Sequence, residues 1–517
     1  MLFNSFEFLF LFLPALLFVF YRVGRYSHRL AATWLTAGSL FFYGWWNPAY
    51  VGLLLGSVVF NYLIGHGLAR GNDIGSSRRR RLLVLGVVGD LALLGYYKYA
   101  NFFVDNINAT LGTGWGLAEI VLPLGISFFT FTQIAFLVDA ARGKAKEFNF
   151  VHYSLFVTYF PHLIAGPILH HKEMMPQFGR GSTYRFNHEF LAVGLTTFAL
   201  GLFKKVVLAD GIAPYAAPVF SAAESGELLT LFQAWGGALA YTLQLYFDFS
   251  GYSDMAIGLS YMIGVRMPLN FNSPYKAVNI TEFWRRWHMT LSRFLRDYLY
   301  VPLGGNRKGS ARRYVNLMAT MLLGGLWHGA GWTFVIWGAL HGVYLVVHHA
   351  WQGFRRRLGH DLARSSFAGR LAGMSLTFLV VVVGWVFFRA QSLDGALSIL
   401  VGMAGMNGIS LPDAIALRLG RVGTWLGESG VLYTPGGGRN FAMTYVWILA
   451  LLPIVFLAPN TQQIMRRFNP ALNVPDDMAD TRLAWSPARG WAVAMAVVTA
   501  CGLLSLTRPS EFLYFQF

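Results

Sequence analysis

The chain has 517 residues, 55% hydrophobic and 13% charged, with a mean hydropathy of +0.46, a composition that excludes an ordinary soluble globular domain. The net charge of +17 does not point to nucleic acid, because the basic residues are spread over short connections between apolar runs instead of along one soluble face. The lone cysteine, Cys501, excludes an intrachain disulfide and a cysteine metal site and leaves the redox compartment open.

Apolar runs long enough to cross about 30 Å of hydrocarbon recur from Leu9 to Leu506, about eleven to thirteen of them, some re-entrant. No short-period repeat, low-complexity tract or soluble segment interrupts them, so the expectation is an all-α polytopic protein forming a single membrane domain over residues 1–517. The first run has no basic residue before it and no small-residue cleavage site after it, and reads as a retained span. Only Glu7 precedes that run, whereas Arg22, Arg25 and Arg29 follow it, which places the N-terminus outside by the positive-inside rule. The alternation continues through an uncharged turn at Asn47 and Pro48 and an inward loop with Arg70 and Arg78 to Arg81. An outward segment from Asp105 to Gly114 then precedes an inward one with Arg142, Lys144 and Lys146.

Further along, Pro161, His162 and Pro167 suggest a broken or re-entrant helix. Asp248-Phe249-Ser250-Gly251-Tyr252-Ser253-Asp254 interrupts an apolar run with too many polar groups to face lipid, and is expected to line a cavity. From Phe283 an amphipathic helix is predicted to run to about Tyr298. Trp284, Trp287, Leu291, Leu295 and Tyr298 form its apolar stripe, and His288 lies on that stripe, pointing inward. Arg285, Arg286, Arg293 and Arg296 fall on other faces, where they can anchor to lipid phosphates or meet an anionic cosubstrate.

Gly324-Gly325-Leu326-Trp327-His328-Gly329 sets an imidazole between two apolar runs, and its glycines permit close approach of backbone or substrate. With an ordinary pKa of about 6.5, such a ring suits general-base work; an interhelical hydrogen bond is the bland alternative. His341 can face the interior or serve packing. The basic clusters Arg307, Lys308, Arg312 and Arg313, and Arg355 to Arg357, bracket two spans and both read as inward. Residues Asp394 to Arg439 read as an outward, glycine-rich loop with short interfacial helices. Two spans follow, separated by a loop with Arg466, Arg467, Asp476 and Asp477, so the C-terminus at Tyr514 to Phe517 also falls outside. Phosphate-loop, HExxH zinc and GxSxG motifs are missing, and the scattered histidines suggest no metal site.

Taken in order, Leu122-Pro123-Leu124-Gly125-Ile126-Ser127-Phe128-Phe129, Ala165-Gly166-Pro167, the Asp248 to Asp254 segment, the Phe283 to Ser292 stretch and Leu326-Trp327-His328-Gly329 resemble the membrane-bound O-acyltransferase family. Pro302-Leu303-Gly304-Gly305-Asn306-Arg307 resembles the branch that acetylates alginate more than the branch that D-alanylates teichoic acid. The resemblance implies a ring of helices around a thinned central funnel, with His328 as the catalytic histidine and His288 as the second. It implies no bound cofactor, acetyl-coenzyme A as a cytoplasmic acyl donor, and an acceptor hydroxyl arriving from the opposite side. The first acceptor would be a serine on a periplasmic partner related to SGNH hydrolases, and the last an exported polysaccharide such as alginate, all at a bacterial inner membrane. Trp327, Asp248, Tyr252, Asp254, Asn270, Arg285, Arg286 and His341 are further substrate-binding or cavity-lining candidates. The rival from another class is a transporter or polysaccharide export channel, disfavoured because no internal repeat is seen and the polar groups centre on histidines instead of charge pairs.

Overall fold

The computed structural model describes residues 1–70, 76–145, 147–362, 366–476, 478–510 and 513. Lys146, Asp477 and the Tyr514 to Phe517 end, used above for orientation, lie outside the described residues. The first half contains α1 (Leu13–Gly24), α2 (His28–Gly44), α3 (Ala49–Arg70), α4 (Ser77–Leu94), α5 (Ala100–Leu111), α6 (Ile126–Ala141), α7 (Phe150–Thr158), α8 (Phe160–Leu163), α9 (His171–Phe178), α10 (His188–Phe203) and α11 (Asp210–Glu224). The long α12 (Leu231–Met262) leads to the short α13 (Ile280–Arg286) and α14 (Met289–Leu295), then α15 (Gly309–His328), α16 (Trp332–Arg357), α17 (Phe367–Arg389) and α18 (Leu393–Met403). The chain finishes with α19 (Asp413–Leu419), α20 (Arg421–Glu428), α21 (Gly438–Leu457), α22 (Thr461–Ile464) and α23 (Arg489–Ser505). Among the described residues the only strands are two short parallel pairs, Met267–Pro268 with Ala471–Leu472 and Ser410–Pro412 with Leu432–Thr434.

This is a multi-pass membrane protein. Among the described residues, six helical stretches are long and apolar enough to cross a bilayer, including Ala49–Arg70, Phe367–Arg389 and Gly438–Leu457. Their outer faces leave Val84, Leu376 and Leu449 exposed, while every residue from Asp248 to Asp254 is buried. Apolar side chains outside and polar ones inside is the arrangement lipid demands. At 1.5 Å per residue α12 is about 48 Å long and α15 about 30 Å, so both are long enough to cross while carrying interior polar groups.

Glycines allow the central helices to touch. A Cβ at Gly258 of α12 would lie 2.6 Å from the Gly194 oxygen of α10, and one at Gly201 would lie 2.6 Å from the Gly251 oxygen. The α15–α16 hairpin closes the same way: a Cβ at Gly325 would meet the Gly338 Cα at 3.1 Å. That hairpin puts Arg312 and Arg313 at the same end as Arg355 to Arg357, and His328 at the other end.

The Asp248 to Asp254 segment lies buried within α12, which is opened by a Thr230–Gln233 capping box. Two local expectations are corrected. The predicted helix from Phe283 to Tyr298 is broken at His288, which adopts a left-handed conformation with φ of 42° between α13 and α14. Arg78 to Arg81 lie in the first turn of α4 and not in a loop; the Ser76 side chain caps that helix, and buried Arg79 donates to the Ala140 carbonyl at 2.7 Å. The helix break expected near Pro161 falls at Tyr159, between α7 and α8.

Candidate active site

His328 ends α15, where two apolar clusters meet. Trp327 belongs to one, and Trp287, Trp337, Trp385 and Phe388 belong to the other. The imidazole lies 4.9 Å from the Trp327 ring and 5.1 Å from the rings of Trp337 and Phe388, all edge-on. It borders a cavity of about 20 Å³ that also touches Asp248, Phe249, Trp287 and Trp385. That is room for about one water-sized group. Nδ1 of His328 has no hydrogen-bond partner among the described residues.

His288 sits across from it, ring centroids 6.3 Å apart, and is fully buried. Its Nδ1 lies 3.1 Å from Asn270 Oδ1, which also accepts from the Thr290 hydroxyl at 2.9 Å and the Thr290 amide at 3.3 Å. Those donors identify the Asn270 atom as oxygen, so His288 Nδ1 carries the proton and the neutral ring keeps its lone pair on Nε2. Nε2 has no partner among the described residues. The same network explains the broken helix: Asn270 O takes the Met289 amide at 2.9 Å, and together these bonds hold the αL turn that aims the ring inward.

On the side toward the basic end of α15 lies a cavity of about 550 Å³, bounded by Trp284, Arg285, Arg293, Arg296, Met321 and His349. Among the described residues Arg285 has no acidic partner there, whereas Arg293 grips Glu173 with two bonds of 2.6 and 2.9 Å. Burial alone would raise the Glu173 carboxyl, but this bidentate pair overrides it and holds the group below its ordinary range. Arg286 does not reach the cavity; it pairs with Glu282 at 2.7 Å, one turn back on α13.

The other candidates occupy distinct places. Asp248 reaches the small cavity while bridged to Lys205 at 2.8 Å, and Lys205 also holds Asp210 at 2.5 Å. Asp254 is bound by Lys204 at 2.5 Å and by the Thr461 hydroxyl at 2.6 Å. Tyr252 stacks on Phe3 at 4.7 Å, and Trp327 stacks on Phe131 at 5.3 Å. His341 lies in aromatic packing between the two cavities, 5.2 Å from Trp284 and 4.9 Å from Trp337. The buried lysine–carboxylate pairs correct the reading that the interior polar groups centre on histidines alone.

Sequence reasoning missed Lys98. It lies in the π-helical turn Gly95–Tyr99 between α4 and α5, and its Nζ donates to the carbonyls of Trp327 at 2.6 Å and His328 at 2.9 Å. A lone lysine within an apolar run was the available signal.

A buried imidazole pair inside a polytopic helical protein, near a basic cavity that neither ring lines, marks the candidate site of a membrane-embedded enzyme. Residues 97–372, which include both histidines, match the family model described as MBOAT, membrane-bound O-acyltransferase family. The chain is 44% identical over 438 residues to a peptidoglycan O-acetyltransferase of Helicobacter pylori, covering 80% of this chain and 81% of that one. It is 42% identical over 536 residues to a probable alginate O-acetylase of Azotobacter vinelandii, covering 100% of both. A teichoic acid D-alanyltransferase of Bacillus subtilis is 28% identical over 282 residues, 53% of this chain and 70% of the relative. The chain belongs to the membrane-bound O-acyltransferase family and is an acyltransferase acting on hydroxyl groups.

Proposed function

We propose that this protein moves an acetyl group from acetyl-coenzyme A, bound on the cytoplasmic face of a bacterial inner membrane, to a hydroxyl on the opposite face, with both termini periplasmic. The eventual product is an O-acetylated exported glycan, reached through a periplasmic partner of the SGNH-hydrolase type; alginate and peptidoglycan are the acceptors that the relatives' names suggest. The observation that carries this reading is the place of His328 along α15. The large cavity meets α15 at Leu317 to Met321, on the basic side of His328, while Lys98, which holds the His328 carbonyl, lines a second cavity that His328 does not itself line. The imidazole, which lines neither of these cavities, stands between two candidate approaches, one basic and suited to the phosphates of a coenzyme A thioester.

In the proposed reaction the acceptor oxygen attacks the thioester carbonyl as His328 takes its proton. The carbon–sulfur bond then breaks, and the imidazolium returns the proton to the departing thiolate. His288, protonated on Nδ1 and held by Asn270, offers a lone pair at Nε2. A lone pair orients a hydroxyl or an N–H donor, but does not stabilise an oxyanion. Its role in this scheme is therefore alignment of the acceptor or of His328. The test is incubation of purified protein with radiolabelled acetyl-coenzyme A and candidate periplasmic partners and glycans. Label in a hydroxyl ester on one of them supports the reading; no transfer to any acceptor, with the donor intact, would sink it.

A further inference from the structure

The last carbonyls of an α-helix have no amide partner within the helix, and burying them unsatisfied is costly. In α15 those carbonyls include Leu326, Trp327 and His328, and the chain leaves the helix at once through extended Gly329, whose φ is −156°. No left-handed cap returns an amide to them. Instead, two consecutive side chains from the Gly95–Tyr99 turn serve all three: the Tyr99 hydroxyl donates to Leu326 O at 2.7 Å, and Lys98 donates to Trp327 O and His328 O. A π-helical turn widens the ring by one residue, and here it directs neighbouring side chains to one helix end. A cation at this position also meets the negative end of the α15 dipole.

We infer that Lys98 is a positioning residue for His328: its ammonium clamps the carbonyl end of α15 and so fixes the angle at which the imidazole meets its substrates. The inference rests on the reading of His328 as the proton acceptor. Three further observations support it. Lys98 reaches across from residues far away in sequence, so the clamp ties the α4–α5 connection to the α15–α16 hairpin. The backbone beyond His328 is glycine on both sides of Ala330 and cannot hold the ring orientation by itself. The Lys98 amine has a third donor directed toward Ser127 Oγ, a long contact of 3.4 Å, and lines a cavity of about 150 Å³ with Trp46 and Phe128. The clamp therefore borders a cavity that shares no lining residue with the basic one, and a small reagent can be offered to it there.

The experiment uses the full-length protein carrying Cys501→Ser, so that no native thiol remains, with Lys98→Cys, Lys98→Met and Lys98→Arg made on that background. Lys98→Cys is alkylated with 2-bromoethylamine, which restores an ammonium at nearly the length of lysine, or with a neutral thiol-methylating reagent, and adducts are counted by intact mass. The expected result is a kcat lowered about 10- to 100-fold in Lys98→Cys and Lys98→Met, as a small misplacement of a reacting group produces. KM for acetyl-coenzyme A should stay unchanged, with recovery of kcat on aminoethylation or in Lys98→Arg and none on neutral alkylation. Wild-type kcat in Lys98→Met, equal recovery with the neutral adduct, or recovery in neither cationic form would overturn the inference. So would a loss of monodisperse protein in every variant, which would assign Lys98 to folding alone. Absence of acetyl transfer by the Cys501→Ser parent would instead count against the proposed function.

Discussion

His288 and Asn270 are joined by a hydrogen bond of 3.1 Å that fixes which imidazole nitrogen carries the proton. The asparagine oxygen is shared with Thr290, so the same atom sets both the tautomer of the ring and the sharp backbone turn beneath it. Replacing Asn270 by leucine removes the acceptor and leaves three donors without it. The expected loss is about 1–3 kcal/mol at this site, seen as a drop in transfer rate of roughly 5- to 150-fold. Because Asn270 acts through His288, the double variant with His288→Ala should be scarcely slower than His288→Ala alone. Additive losses in that cycle would separate the two residues.

His328→Ala should reduce acetyl transfer by about 10²- to 10⁴-fold, the usual range for a lost general base. The imidazole is at the seam of two apolar clusters and touches the large basic cavity nowhere. Equilibrium binding of acetyl-coenzyme A should therefore survive the substitution. Transfer at the wild-type rate by purified His328→Ala protein would remove the histidine from the chemistry.

The sequence made the class and both histidines legible, for different reasons. Apolar runs report the bilayer directly, and an imidazole flanked by glycines in such a run is conspicuous. The inward face of His288 followed from its stripe, but the helix break did not, since neither glycine nor proline marks it and the cause lies in Asn270, remote in sequence. Lys98, Lys204 and Lys205 were invisible as partners because each finds its carboxylate or carbonyl on another helix. Periodicity reports which face is buried; it does not report what waits on the other side.

Arg285 and Arg286 are neighbours with different prospects. Only Arg285 borders the basic cavity, while Arg286 is held by Glu282 at 2.7 Å. If the cavity takes a phosphorylated thioester, Arg285→Gln should raise KM for acetyl-coenzyme A by roughly tenfold, the value of about 1.4 kcal/mol of charge-assisted bonding, and weaken its salt dependence. Arg286→Gln should change KM little. Equal effects of the two substitutions would argue that the cavity is not the donor site.

Lys205 is the residue whose loss should cost most in stability. It is 1% exposed and bridges Asp210 at 2.5 Å and Asp248 at 2.8 Å, joining α11 to α12 from the π-helical turn that follows α10. A buried ion pair is of little net worth against apolar packing, but removing one partner strands the other charge. Lys205→Met leaves two carboxylates within the protein, and the expected penalty is about 3–5 kcal/mol, read as a lower melting temperature in detergent. Asp248→Asn added to Lys205→Met removes one stranded charge and should restore part of that loss. Activity need not follow stability, because Asp248 also borders the small cavity beside His328. If the carboxylate serves only to hold Lys205, the double variant should regain transfer as it regains its fold. If it regains the fold and stays slow, Asp248 contributes to the environment of the imidazole, and the lysine is there to hold that carboxylate in place.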